Sequence, residues 1–171
     1  ARHHRELPPF PTRLSSDIWK LFEISNYLHP AFHTTEYQTP FSGKNNIESL
    51  TADPKNNRLL LAVKDTDPNT KDYKGIYAFD LDSKKTLSYP VFKIMLNDPI
   101  WKGKASKSKN NGSGEFYPSE IAINPTDGNI YILEAKNPRL LIMDQDGKLL
   151  HLHILNKKSF SQPEGMTFAP D

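Results

Sequence analysis

A seven-residue phrase occurs three times in this chain and constrains its fold more than any other feature of the sequence. The copies are Glu48–Pro54 (ESLTADP), Ser119–Pro125 (SEIAINP) and Glu164–Pro170 (EGMTFAP). The first two are followed by a short turn, an apolar strand, a polar break and a second strand that ends in an acid, Asp80 or Asp144. Such self-similarity indicates a repeat architecture, and four-stranded units of roughly 40 to 50 residues are typical of propeller blades. We therefore predict an all-β fold, a partial β-propeller of four-stranded antiparallel blades with about three to four blades present.

Alternation of apolar residues and the positions of turn residues locate the strands. Strands are predicted near residues 19–24, 34–39, 47–52, 58–63, 75–81, 91–96, 119–124, 129–134, 139–144, 149–155 and 164–168. The pairs Asp127-Gly128 and Asp146-Gly147 predict tight hairpin turns, because glycine tolerates the positive φ that these turns need. Asp53 and Asn124, which precede the repeated prolines, are assigned to turn capping.

The distance between the copies gives the blade length and locates an insertion. Pro125 and Pro170 are 45 residues apart, whereas Pro54 and Pro125 are 71 apart, which leaves a surplus of 26. The surplus falls near residues 98–117, which are rich in lysine, serine and glycine. Such a composition buries too little apolar surface to offset the entropy lost on ordering. We therefore expect an inserted loop, exposed over residues 102–114.

The two ends of the chain depart from the blade pattern. Residues 1–13 contain three prolines between positions 8 and 11, which exclude a helix or a central strand. We therefore predict an irregular Pro-rich segment at 1–13 and a partial propeller domain over 14–171. The third phrase reaches the end of the chain before the strands that should follow it, so we expect this chain to be an incomplete propeller.

Composition excludes several classes of function. The absence of cysteine excludes disulfides, thiolate zinc sites and cysteine nucleophiles. No apolar run approaches the length of about 18 residues that indicates a membrane-spanning helix. The net charge of +2 is too small to indicate nucleic-acid binding. No Ser-centred nucleophile elbow, P-loop or HExxH motif occurs, and we therefore predict no catalytic residue.

Four stretches together resemble the SdiA-regulated family, a group of NHL-like β-propellers. They are Asn45–Leu50 (NNIESL), Lys74–Leu81 (KGIYAFDL), Tyr117–Pro125 (YPSEIAINP) and Gln162–Phe168 (QPEGMTF). The resemblance covers residues 14–171 and is to members of the Bacteroidetes type, although the Pro-rich segment replaces a strand that the family pattern has. It implies an extracytoplasmic location, in the periplasm or at the cell surface, with an export signal or a lipid anchor encoded upstream of Ala1.

Each phrase should begin the innermost strand of a blade, near one mouth of the central channel. Alignment on the prolines makes Glu48, Ser119 and Glu164 equivalent, so two carboxylates and a hydroxyl should converge near the axis. Because oxygen ligands suit a hard cation, we predict a ligand site at these three residues and a Ca²⁺ ion held by Glu48 and Glu164. The alternative is that these side chains cap hairpins or bond backbone amides of the neighbouring blade. Strand alternation turns Glu120 away, towards a salt bridge or a blade contact.

Two classes of function follow from these observations. The first is an exported propeller that binds an unknown ligand or protein partner over its channel mouth or loops, since propellers commonly serve as platforms. The second is a Ca²⁺-dependent lactonase or esterase. Propellers of the gluconolactonase type hold Ca²⁺ through a glutamate in a phrase similar to Glu164-Gly165, and such a metal would polarise an ester carbonyl. We favour the binding module, because the chain carries no catalytic signature.

Overall fold

The computed structural model describes residues 20–25, 28, 31, 33–102 and 115–169, and these form antiparallel β-sheets. The strands are β1 Lys20–Ser25, β2 His33–Gln38, β3 Ile47–Asp53, β4 Arg58–Val63, β5 Tyr73–Asp80, β6 Lys85–Thr86, β7 Phe92–Met95, β8 Pro118–Ile123, β9 Ile130–Glu134, β10 Arg139–Met143 and β11 Leu149–Ile154. In the described ranges the only helical segments are two single 3₁₀ turns, Pro54–Asn56 and Pro99–Trp101. None of the described residues belongs to a helix that could span a membrane. The predicted all-β fold is confirmed.

The first blade consists of β3 to β7 and fills four strand positions. The order is β3-β4-β5, and the fourth position is shared by two short strands that both pair with β5. Strand β6 pairs with Phe79 and Asp80 at the end of β5, and β7 pairs with residues 73–76 at its beginning. Pro90 lies between these two short strands, and because proline has no N–H it cannot donate a hydrogen bond that would join them into one continuous strand.

The second blade consists of β8 to β11 and is a regular four-stranded meander. Its strands follow one another in the order of the chain, and each pairs antiparallel with the next. Gly128 and Gly147 take φ values of +71° and +87° in the two turns that were predicted from Asp-Gly pairs. A residue with a Cβ rarely adopts this conformation, so the two glycines permit tight connections between the strands.

The two blades pack against each other around a shared core, with their first strands side by side. Strands β3 and β8 are in contact, which is the arrangement predicted for the innermost strands of adjacent blades. The core between the blades includes Leu60, Ala62, Ile76 and Ala78 of the first blade and Ile121, Ile130, Ile132, Leu141 and Met143 of the second. These side chains are almost completely buried, and their removal from water is the main favourable contribution to the contact.

The hairpin of β1 and β2 covers the opposite face of the first blade. Side chains that alternate with those of the shared core form a second cluster, which includes Leu61, Val63, Tyr77 and Phe79. Leu21 of the hairpin packs into this cluster. Because successive side chains of a strand point to opposite faces, the burial of both faces explains the continuous apolar runs of β4 and β5.

The third phrase does not form the strand predicted at residues 164–168. Residues 160–169 lie beside the second blade but pair with no strand in the described part of the chain. The Ser119 hydroxyl lies 3.1 Å from the carbonyl oxygen of Pro163, and the Phe168 ring packs edge-on against Tyr131 with 5.0 Å between centroids. This prediction was wrong because a strand needs a hydrogen-bonded neighbour, and here the contacts are made by side chains.

Both ends of the insertion predicted near residues 98–117 lie in the described part of the chain and pack against the blades. The 3₁₀ turn at Pro99–Trp101 is capped by Asp98, whose Oδ1 accepts a hydrogen bond from the amide of Ile100 at 2.8 Å. Trp101 and Phe116 are buried in the shared core with their ring centroids 5.4 Å apart. Residues 1–13, predicted to be irregular, and 103–114, predicted to be an exposed loop, lie outside the described residues.

Arg139 brings a buried positive charge to these two aromatic rings. Its guanidinium carbon lies 5.6 Å from the centroid of Trp101 and 5.4 Å from that of Phe116. Its Nε donates to Glu134 at 2.6 Å, and a terminal nitrogen donates to the carbonyl oxygen of Glu115. Asn137 donates to the other oxygen of Glu134 at 2.9 Å. Both buried charges therefore have partners, as a stable buried ion pair requires.

Gly75 lies at a close approach between β5 and the loop that joins β4 to β5. Asp67 is buried, and its two oxygens accept hydrogen bonds from the amide of Gly75 at 2.8 Å and from the hydroxyl of Tyr77 at 3.0 Å. A Cβ at position 75 would lie 2.5 Å from Asp67 Oδ2 and 2.5 Å from a ring carbon of Tyr77. No side chain fits there without displacing this buried network.

We therefore expect Gly75→Ala to lower the free energy of unfolding by about 1–3 kcal/mol, as overpacking of a core does. Urea denaturation followed by tryptophan fluorescence measures the change. Gly165→Ala is the matched control, because a Cβ added at that position would have no other atom within 4 Å, and it should change stability by less than about 0.5 kcal/mol. Equal effects at the two positions would contradict the close packing described at Gly75.

Candidate functional site between the blades

The first residue of the repeated phrase occupies an equivalent β-bulge in each blade. The register of β3 against β4 shifts after Ile47, which leaves Glu48 without a directly opposite residue. The register of β8 against β9 shifts after Pro118 and leaves Ser119 in the same position. A β-bulge bends its strand and redirects a side chain. The equivalence of Glu48 and Ser119, predicted from sequence alignment, is therefore also an equivalence of backbone structure.

The side chains at these bulges contact other parts of the protein. Glu48 forms an ion pair with Lys64, and both side chains are half-buried. Ser119 is buried, with its hydroxyl 3.1 Å from the carbonyl oxygen of Pro163 and 3.3 Å from that of Leu133. The contact with Pro163 joins the second blade to the third phrase.

Glu164, the third predicted ligand, is exposed. The described residues contain no group of three or more histidine, aspartate or glutamate side chains placed to hold a metal ion. The predicted Ca²⁺ site would therefore need ligands beyond side chains of these types, such as backbone carbonyls or water. The ligand role of Glu48, Ser119 and Glu164 and the metal role of the two glutamates stay predictions.

The Ca²⁺ prediction can be tested by thermal unfolding. Ca²⁺ should raise the melting temperature of the native chain, and Glu164→Gln should remove this increase while leaving the metal-free protein equally stable, because its exposed carboxylate forms no ion pair with a described residue. Asp82→Asn, at an exposed turn of the first blade, is a control for general charge effects. A native protein that is indifferent to Ca²⁺ would contradict the prediction.

Glu120 follows the second bulge and lies opposite Leu133. Its Oε1 accepts a hydrogen bond from the amide of Ile121 at 2.8 Å, and it forms no ion pair with any described residue, so the predicted salt bridge is absent. Burial raises the pKa of the Glu120 carboxyl, and the hydrogen bond from the amide opposes this effect only in part. The carboxyl group of Glu120 is therefore protonated more readily in the folded state than in the unfolded state.

The raised pKa of Glu120 gives a pH-dependent contribution to stability. An acid whose pKa is higher in the folded state stabilises the fold below its unfolded pKa of about 4.3, and this contribution is lost as pH rises through the folded pKa. We therefore expect Glu120→Gln to raise the melting temperature at about pH 7 but not at about pH 3.5. Scanning fluorimetry across this range measures both. A gain that persists unchanged in acid would show that ionisation is not its cause.

A cleft of about 570 Å³ opens between the blades at the end where the phrases finish. The first blade contributes the turn from β3 to β4, and the second contributes the turns from β8 to β9 and from β10 to β11. The last two residues of the phrase line both walls, as Asp53-Pro54 on one side and Asn124-Pro125 on the other. The repeat thus places the same type of turn on each side of the cleft.

Asp53 and Arg58 form the charged part of the first wall. Asp53 is buried, and its Oδ2 accepts hydrogen bonds from Arg58 Nε at 2.7 Å and from Asn56 Nδ2 at 2.8 Å. The guanidinium carbon of Arg58 lies 5.5 Å from the centroid of the Phe92 ring. Among the described residues, the two terminal nitrogens of Arg58 have no hydrogen-bond partner. Four N–H donors therefore remain at the lining of the cleft.

Lys55 and Gln145 connect the two walls. Lys55 Nζ donates to Gln145 Oε1 at 2.8 Å, and Gln145 Nε2 donates to the carbonyl oxygen of Asp127 at 3.2 Å. Both side chains belong to exposed residues. Because the partner of Lys55 is a neutral amide, this hydrogen bond fixes the ammonium group across the cleft without neutralising its charge.

The lining combines apolar surface with hydrogen-bond donors. Phe92, Val91, Ile123 and Ile130 provide apolar surface beside the donors of the first wall. Among the described residues, the lining contains no serine, threonine or histidine, and its ionisable side chains are Asp53, Asp146, Lys55 and Arg58. What the cleft offers is a mixed surface on which a ligand could be both packed and hydrogen-bonded.

Sequence reasoning placed the site at the beginning of the phrase and missed this cleft at its end. Asn124 does cap its turn, accepting a hydrogen bond from the amide of Thr126 at 2.9 Å, as predicted. Asp53 instead pairs with Arg58, which lies directly opposite it across the β3–β4 hairpin. Two opposite charges flanking a repeated turn were the available signal. The participation of Phe92 and Gln145 depends on tertiary packing and left no local pattern.

Comparisons with known proteins assign no family. The sequence matches no protein-family model, and no similar sequence is found among curated proteins. A structural comparison finds a protein from Lactobacillus plantarum, solved as a structural genomics target, with 13% sequence identity and a TM-score of 0.40. The match covers 77% of this chain and 34% of the other, so the chain spans about a third of that protein's length. The resemblance to the SdiA-regulated family stays a prediction.

Proposed function

We propose that this chain is a propeller binding module that takes its ligand in the cleft between the two blades. The observation that supports the proposal is the combination of a 570 Å³ cleft with the unused terminal nitrogens of Arg58. Clefts of about 300–1,000 Å³ are typical of small-molecule sites, and a few convergent polar groups on an apolar lining usually orient the ligand.

Burial makes the unused donors significant. Arg58 retains only 19% exposure of its side chain, so a large part of its surface is already removed from water by Phe92 and the neighbouring turns. A polar group in such a place gains more from a ligand acceptor than an exposed one does, because water competes less effectively for it. A ligand that fills the cleft would complete hydrogen bonding that the protein leaves open.

The same proposal includes the cellular setting. The motif order that resembles the SdiA-regulated propellers supports membership of that family and an extracytoplasmic location, and the lack of a catalytic motif in the sequence supports a role without catalysis. The hydrolase alternative has weaker support, because Glu48, one of its two predicted metal ligands, is engaged by Lys64.

Blocking the cleft provides the test. Asp146 is an exposed residue of its lining, and a tryptophan there should fill the opening. Asp82→Trp is the matched control, because Asp82 occupies the corresponding turn of the first blade, also exposed. We expect members of a panel of small phenyl-substituted acids, amides and alcohols to shift the amide resonances of Asn56 and Gln145 in the native chain and in Asp82→Trp. In Asp146→Trp these shifts should be lost.

Two results would refute the proposal. One is a panel in which no compound perturbs the cleft resonances of the native chain at millimolar concentration. The other is binding to Asp146→Trp that equals binding to the native chain, because the ligand would then lie elsewhere. Circular dichroism of both variants establishes that the blades are intact before binding is compared.

A further inference from the structure

We infer that the ligand of this cleft is a small organic carboxylate with an apolar body, and that Arg58 binds its carboxylate through both terminal nitrogens. This inference rests on the proposed function and names the chemical class of the ligand. Its basis is that Asp53 binds the Nε group of the guanidinium, whereas the two terminal nitrogens have no partner among the described residues.

The hydrogen bonding of Arg58 leaves a donor pair of suitable geometry. A guanidinium presents its N–H groups in a rigid planar fork whose spacing matches the two oxygens of a carboxylate. Asp53 takes only the Nε group, and it does so through a single oxygen, Oδ2, which it shares with Asn56. The pair of terminal nitrogens is left without a partner among the described residues. Two parallel charge-assisted hydrogen bonds to one acid group would satisfy it.

The distribution of charge favours an anion over a neutral acceptor. The lining holds two cations, Lys55 and Arg58, and two carboxylates, Asp53 and Asp146. Asp53 is buried and engaged by Arg58, whereas Asp146 is exposed at the opening, where solvent and salt screen its charge. Lys55 is hydrogen-bonded to a neutral amide. The charges of the lining sum to zero, so the preference for an anion comes from the open N–H groups of Arg58 and from the ammonium of Lys55, which its hydrogen bond holds across the cleft.

The apolar part of the lining determines the rest of the ligand. Phe92 and Val91 of the first blade and Ile123 and Ile130 of the second line the same cleft. One side of the Phe92 ring is already covered by Arg58, so the apolar body would contact the remaining surface of this ring and the aliphatic residues opposite. Burying such a body also removes water from the ion pair and strengthens it.

Matched acid and amide probes test the carboxylate directly. In NMR titrations of the full chain, 3-phenylpropionate should bind at least about tenfold more tightly than 3-phenylpropionamide, a ratio that corresponds to about 1.4 kcal/mol. N-acetylphenylalanine, which has the free carboxylate of a peptide end, distinguishes the two sources of such a group. Tighter binding than that of 3-phenylpropionate would identify a peptide C-terminus as the ligand, and weaker binding a free organic acid.

Arg58→Lys is the decisive variant, because it keeps the positive charge that Asp53 needs and removes the fork. The affinity for 3-phenylpropionate should fall at least about tenfold, while the affinity for the amide should change by less than about twofold. Lys93→Gln is the matched control, since Lys93 is exposed on β7 next to Phe92 and its ammonium lies 5.1 Å from the Tyr73 ring instead of in the cleft. It should leave both affinities unchanged.

The outcomes separate this inference from the proposed function. If neither probe perturbs the cleft resonances of the native chain while other compounds of the panel do, the carboxylate inference fails and the binding function stands; if no compound does, both fail. If acid and amide bind equally, or if Arg58→Lys leaves their ratio unchanged, the carboxylate inference is overturned and the binding function stands. Should Arg58→Lys fail to fold, Lys55→Gln replaces it as the test. Loss of this second cation should weaken binding of the acid and leave binding of the amide unchanged, and equal affinities for the acid before and after the change would overturn the inference.

Discussion

Both faces of the first blade are apolar, and the rest of the structure depends on covering them. Alternate residues of β4 and β5 enter two cores, one shared with the second blade and one with the hairpin of β1 and β2. Burial of one large aliphatic side chain contributes about 1.5–3 kcal/mol, and each face holds several. Exposing either face would therefore remove an amount comparable with the whole stability of a domain, about 5–15 kcal/mol. A neighbour on each side is obligatory for such a blade.

The repeated phrase shapes both ends of the contact between blades, and differences within it make the two blades unlike. Its first residue forms a bulge that carries Glu48 in one blade and Ser119 in the other. The fourth residue after its proline is Arg58 in the first blade and Asn129 in the second. Equivalent positions after the two turns therefore hold a guanidinium in the first blade and a neutral amide in the second. The repeated turns form the two walls of the cleft, and the residues that differ between the repeats determine its charge and hydrogen bonding.

Periodicity in the sequence was sufficient to predict the blades, because their strands alternate or run continuously apolar between recognisable turns. It could not reveal that the third phrase lacks a hydrogen-bonded partner, since pairing is a property of two segments. It also gave no sign that the ends of the insertion pack on the blades, because the contacts of Trp101 and Phe116 with Arg139 join residues distant in sequence. The cleft was missed for the same reason. Its lining comes from five separate segments of the chain, and only the repeated turns among them carry a local signal.

The contact between Trp101, Phe116 and Arg139 brings the two ends of the insertion together at one point on the blades. For a chain segment whose ends are fixed close together, each doubling of length costs only about 0.6 kcal/mol of closure entropy. A change in the length of a flexible connection between these two ends would therefore alter the stability of the sheets little. The aromatic pair acts as a splice point, at which evolution or protein engineering could exchange one segment for another, or graft in a folded domain, while the propeller geometry stays the same.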